Sequence, residues 1–162
     1  MEIERLENGD FAVGELEPTL VGILLALPSS TEPGESDAAR HRLFPELTAE
    51  PETTAMREEW KEYVVPDLER LFHDATEIAR RDLTPLEDGE REFTIPLRNV
   101  DAWISTLNQA MLVLGARFDI DERDMEKPQS AILEDERGLA LFQIHFYSFL
   151  QECLIRGIES LE

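Results

Sequence analysis

Apolar positions recur along most of this chain at steps of three and four, the spacing that lays them on one face of an α-helix. The clearest case opens at Asn99, read as an N-cap. Val100, Trp103, Ile104, Leu107, Met111, Leu114 and Phe118 then form a core-facing stripe. A second long helix is predicted from Ile132 or Glu134 to Leu161. Its apolar face holds Leu139, Phe142, Phe146, Phe149, Leu150, Cys153 and Leu154, with Gln143, Ser148, Glu152, Arg156 and Glu159 opposite. From Thr53 to Leu83 the pattern runs through Met56, Trp60, Tyr63, Val64, Leu68, Leu71, Phe72, Ala75, Ile78 and Ala79. Pro66 interrupts it, which means a kink or two helices meeting end to end. Glu17 to Leu27 is apolar nearly all round, predicting a central helix covered on most sides, with Pro18 in its first turn. A short helix capped by Asp37 reaches Leu43 and stops before Pro45.

The remaining segments read as turns and extended pieces. Ile3 to Gly14 alternates apolar and polar on both sides of Asn8-Gly9, a hairpin signal because both residues tolerate positive φ. Residues 28–36 carry prolines, a glycine and no large apolar side chain, so a flexible loop is expected. Thr48 to Glu52, Thr84 to Gly89 and Asp119 to Pro128 are also read as irregular. Phe93 to Leu97 is a short extended segment that Pro96 restricts to an edge strand, beside the hairpin if it pairs at all. The sum is a mainly α protein: an irregular bundle of about five or six helices with a small N-terminal β-hairpin (residues 1–14), in one domain over residues 1–162.

Charge sharpens this picture. Among 162 residues, 15 Lys+Arg face 36 Asp+Glu, for a net charge of −21. A hydrophobic fraction of 42% is enough for one core and argues against wholesale disorder. A grip on nucleic-acid phosphates or on an anionic membrane needs clustered Lys and Arg. The only lysines are Lys61 and Lys127, so neither partner is expected. The apolar window Leu20 to Leu27 is far short of the ~20 residues of a membrane span. Met1-Glu2-Ile3-Glu4 is acidic where a secretory signal is basic, and Cys153 has no second cysteine to pair with. A cytoplasmic protein is the expectation.

The chemistry-bearing residues form no catalytic constellation. A di-iron helical bundle needs Glu-x-x-His steps, but Ala38, Arg70 and Phe142 stand three residues before His41, His73 and His145. Glu69, His73 and Glu77 share a helix face and read as a solvated acidic surface. Cys153 lies beside Glu152, which opposes a thiolate, so core packing is the simpler role. No Gly-x-Ser-x-Gly elbow or phosphate-cradling glycine loop is present. No catalytic residue, metal ligand or cofactor is therefore assigned. Asn108 and Gln151 sit within the apolar stripes of the two last long helices, and two readings stay open. Their amides either hydrogen-bond within the bundle and fix its register, or line a polar pocket rimmed by Arg117, His145 and Tyr147. The acidic excess is likewise a solubilising coat, a docking surface for a basic protein partner, or a mimic of nucleic acid.

Several segments carry a family resemblance. Leu107 to Phe118 (LNQAMLVLGARF) resembles a Leu-Asn…Leu-Gly-x-Arg helix, and Phe146 to Leu154 (FYSFLQECL) resembles a closing aromatic-Leu-Gln-Glu segment. Leu43-Phe44-Pro45 and Arg57-Glu58-Glu59-Trp60 match its middle. Together they resemble the bacterial family named domain of unknown function two thousand and seventeen, from Leu16 onward. The chain departs from it at Met111, where that family often has arginine, and around Pro18. The resemblance implies a soluble bacterial protein without an assigned activity, with an accessory role in regulated proteolysis suggested by gene neighbourhood. The leading expectation is a helical protein that acts by binding a protein partner.

Overall fold

The computed structural model of the protein describes residues 1–45, 54–126 and 135–160. It opens with an antiparallel hairpin, β1 (Glu2–Arg5) and β2 (Phe11–Gly14), with Ile3 opposite Val13 and Arg5 opposite Phe11. Asn8-Gly9 does form the turn, but only Gly9 takes a positive φ, of 90°. Its N–H donates to the Leu6 carbonyl at 2.9 Å. Asn8 acts through its side chain instead, accepting from the Asp10 N–H at 3.1 Å. The later extended segment is β3 (Phe93–Ile95), antiparallel to β2, which makes a three-stranded sheet in the order β1-β2-β3. Pro96 falls just beyond this edge strand, where its missing N–H breaks no ladder bond. Phe11, Val13, Phe93 and Ile95 give the sheet one buried apolar face.

Helices make up most of the rest. In α1 (Pro18–Leu25) only Ile23 and Leu24 are buried, so this helix is covered on one side and not on most. The segment expected as a flexible loop at 28–36 is corrected at its start by the helical turn α2 (Leu27–Ser30), with Pro28, Ser30 and Thr31 buried. The hydroxyls of Ser30 and Thr31 donate to the carbonyls of Ala26 and Pro28 at 2.8 and 2.7 Å. A polar composition that reads as solvated thus satisfies its donors within the turn and is buried at little cost. In α3 (Asp37–Leu43) the cap is Ser36, whose Oγ accepts the Ala39 N–H at 3.2 Å; Asp37 sits one position on, in the first turn.

Around Pro66 two helices meet end to end through a widened turn. α4 (Thr54–Glu59), a π-helical turn (Trp60–Val64) and α5 (Val65–Asp82) run end to end. The Val65 N–H reaches back five residues to the Trp60 carbonyl, and this widened turn makes room for the ring. The expected loop at 84–89 contains the helical turn α6 (Thr84–Glu87). Leu97–Asn99 forms a 3-10 turn leading into α7 (Val100–Arg117). Asn99 makes no capping bond there. Its Nδ2 donates to both carboxylate oxygens of Asp82, at 3.1 and 3.0 Å, and Trp103 Nε1 donates to the same group at 2.8 Å. The expected acidic loop holds α8 (Glu122–Met125), closed by a capping box between Asp121 and Asp124. α9 (Glu136–Glu159) is capped by Asp135, which accepts the Gly138 N–H at 2.7 Å. Thr48 to Glu52, the expected helix starts at Thr53 and at Ile132 or Glu134, and the expected end at Leu161 lie outside the described residues.

α7 is the hub. It packs against α9, α5, α3 and α2, and Trp103, Leu107, Tyr147, Leu150 and Leu154 are fully buried in the resulting core. The buried face of α9 keeps the expected Phe146, Leu150 and Leu154 but is shifted to take in Ala140, Leu141, Gln143, Ile144 and Tyr147, while Leu139 and Phe149 are 43% and 50% exposed. The reason lies in the second neighbour of α9. Tyr147 donates its hydroxyl to the Ile23 carbonyl of α1 at 2.8 Å, and Gln143 lies within 3.5 Å of both that hydroxyl and Ser30 Oγ. The first turn of α9 is fastened by Arg137, whose guanidinium donates to both oxygens of Asp124 and to the carbonyls of Phe118 and Asp119.

Candidate functional site

The apolar content of α7 exceeds what its helical neighbours cover. Leu107, Ala110, Val113 and Leu114 are buried, whereas Met111, Leu112, Gly115 and Ala116 remain half-buried. Those four, with Ile120, Met125 and Ile144, line a groove of about 580 Å³ between α3, α7, α8 and α9. Gly115 sets its depth: a Cβ built there would meet nothing within 4 Å. The methionines suit such a surface, because unbranched thioether side chains adapt to differently shaped apolar partners. The end of α7 fixes one wall. Asp119 turns the chain with φ +49°, and the Ile120 N–H reaches back to the Gly115 carbonyl at 2.9 Å, a left-handed helix stop.

Charge is sorted along the rim. Asp119, Asp121 and Glu122 stand at the α8 side, and His41 and Arg42 of α3 stand on the other. All five are exposed. In a chain of net charge −21, the Arg40-His41-Arg42 run of α3 is a local concentration of basic groups. The groove can therefore hold an apolar segment and orient it by its two ends.

The five residues singled out from the sequence make separate contacts, and none of them lines the groove. Asn108 is exposed on α7, next to the buried Gln109. Arg117 is exposed, with its guanidinium over the Phe118 ring at 5.9 Å. Gln151 donates Nε2 to the Ile104 carbonyl at 3.1 Å, a direct link between α9 and α7 of the kind that fixes register. Tyr147 faces the other way, toward α1, and its hydroxyl is taken up by Ile23. His145 is half-buried, with a buried Nε2 that meets no hydrogen-bond partner among the described residues. Cys153 is half-buried as well. Burial pushes its thiol pKa up and the Glu152 carboxylate pushes it further, against an opposing pull from Arg156. That is the environment of an unreactive thiol. Among the described residues no group of His, Cys, Asp and Glu is placed to hold a metal ion, and no helix is long and apolar enough to cross a membrane.

A family model, Domain of unknown function (DUF2017), matches residues 4–158. The chain belongs to the DUF2017 family. No curated protein and no solved structure matches it. The matched span takes in every residue of the groove, so the DUF2017 fold in this chain carries the site as part of its body. Met111 belongs to the apolar stripe that periodicity predicts for α7, but periodicity alone does not single out the groove. Its available signal was the run Met111 to Ala116, where apolar and small residues continue around more of the helix than one packed neighbour can cover.

Proposed function

We propose that this DUF2017 protein is a protein-binding domain whose groove between α3, α7 and α8 receives an apolar segment of a basic partner protein. The groove itself carries this reading: about 580 Å³ with an apolar floor, acidic at one end and basic at the other. The segment presents apolar side chains to Met111, Leu112 and Met125, a Lys or Arg to the Asp119, Asp121 and Glu122 rim, and an acidic group to His41 and Arg42. Two buried anchors of Leu or Phe size contribute about 1.5–3 kcal/mol each. The net charge of −21 adds long-range attraction for a basic partner and speeds encounter more than it tightens the complex. An accessory role in regulated proteolysis, implied by the family resemblance, is one setting for such binding.

Gly115→Leu is the discriminating variant, because its side chain fills the groove with no clash at the Cβ. A photo-crosslinking residue at Met111, used in native lysate at low salt, is expected to capture a protein through a peptide that combines apolar residues with Lys or Arg. The adduct should disappear in Gly115→Leu and be absent when the crosslinker stands at Ser148. An adduct indifferent to Gly115→Leu, an acidic captured peptide, or no adduct at all overturns the reading.

A further inference from the structure

A second recess opens on the other side of α3, and its chemistry differs. One face of α5, bearing Glu69, Phe72, His73, Thr76 and Arg80, looks across a cleft of about 270 Å³ toward Arg40 and Leu43 of α3, Phe44 just beyond it, and Thr31 and Glu32. Gln109 of α7 lies at the floor and is 3% exposed. Its Nε2 donates to Ser105 Oγ at 3.2 Å, and among the described residues no donor meets its Oε1. Thr31 and Thr76 are also buried, and their hydroxyl protons are already given to the carbonyls of Pro28 and Phe72 at 2.7 and 3.0 Å. The depth of the cleft is therefore rich in acceptors and needs a ligand that donates.

The mouth is the reverse. Arg40 pairs with Glu69 at 3.0 Å and Arg80 with Glu77 at 3.0 Å, each through one nitrogen. Both guanidiniums keep further N–H groups for an incoming oxyanion, in the fork geometry that suits a carboxylate. Glu32 stands on the same rim and offsets part of the positive charge of the two arginines. Leu43, Phe44 and Phe72 supply an apolar wall. From this arrangement we infer that the cleft is a small-molecule site for a zwitterion of amino-acid class, from a free amino acid to a dipeptide. The ammonium donates to Gln109 and the threonine hydroxyls, and the carboxylate pairs with Arg40 and Arg80.

The test is a ¹H–¹⁵N NMR titration of the whole protein with the dipeptide Ala-Leu, its N-acetyl form, its C-terminal amide and free L-leucine. A ligand this small is expected to bind with a Kd on the order of a millimolar. Ala-Leu should shift the Thr31, Thr76 and Gln109 signals, including the Gln109 side-chain amide. Blocking either end should weaken binding at least tenfold. Binding of L-leucine as tight as that of Ala-Leu identifies a free amino acid as the ligand, and weaker binding identifies a dipeptide. Arg80→Gln, on the exposed rim, should lower affinity about tenfold with the fold intact, and Gln109→Leu should abolish the preference for a free amine. Gly115→Leu should leave the titration unchanged, which separates this site from the protein-binding groove. The inference is overturned if no signal moves at tens of millimolar, if the acetylated form binds as well as Ala-Leu, which leaves an oxyanion site only, or if the amide does, which leaves a donor site only.

Discussion

Tyr147 shows how one buried hydroxyl links packing to pH. Burial is the main cause that pushes its pKa up to about 12, with hydrogen bonds to Ser30 and Gln143 pulling the other way. The unfolded chain ionises near the ordinary tyrosine value of about 10, so between these values the folded state holds the proton that the unfolded state has lost. Stability from this group is complete below pH ~10 and falls as pH rises through ~12, by about 2–3 kcal/mol in all. Urea midpoints should therefore drop steeply between about pH 10 and 12. Tyr147→Phe removes the donor to the Ile23 carbonyl and should cost about 1–2 kcal/mol at neutral pH, yet flatten that alkaline decline. A variant that declines as steeply as the parent would assign the effect to another group.

At the scale of elements, two helical glycines separate what periodicity reveals from what it hides. Gly115 and Gly157 both lie in long amphipathic helices, and nothing in their sequence surroundings distinguishes them. A Cβ on Gly115 meets open groove, whereas one on Gly157 would come within 2.5 Å of Phe11 Cζ. Phe11 is 2% exposed, held between the sheet and α9, and has nowhere to move. Gly115→Ala should accordingly gain about 0.5–1 kcal/mol of helix propensity, while Gly157→Ala should lose about 1–3 kcal/mol through overpacking. Paired urea denaturations test the opposite signs. The same division runs through the whole fold. The stripe of α7 was legible because Trp103, Leu107 and Leu114 repeat at helical spacing, and the hairpin because Asn8-Gly9 punctuates it. The pairing of β3 with β2, the π-turn that absorbs Pro66 and the burial of Ser30 and Thr31 depend on contacts far apart in sequence or on local bonding that composition does not encode. The groove was half legible for the same reason. Its floor shows as surplus apolar surface on α7, but its walls come from α3 and α8, which meet α7 only in the folded chain.

The whole molecule is governed by its charge. With 15 basic against 36 acidic residues, more than half of the acids have no cation to offset them. The surface ion pairs among the described residues, such as Arg70 with Asp67 at 3.2 Å and side chains 71% and 67% exposed, contribute little. Self-repulsion of the carboxylates therefore outweighs their attractions and works against the compact state. Raising ionic strength from ~0.01 M to ~1 M shortens the Debye length from about 30 Å to about 3 Å and removes most of that repulsion. The thermal midpoint should thus rise with sodium chloride, and should do so equally in Gly115→Leu, since the net charge is untouched. The proposed capture of a basic partner at the groove should run in the opposite direction, because the same ions screen the attraction that draws the partner in. Opposed salt responses of stability and binding are the signature of an acidic surface that acts beyond solubility. A thermal midpoint that falls with salt would show instead that ion pairs such as that of Arg137 with Asp124, at 2.7 Å, dominate the fold.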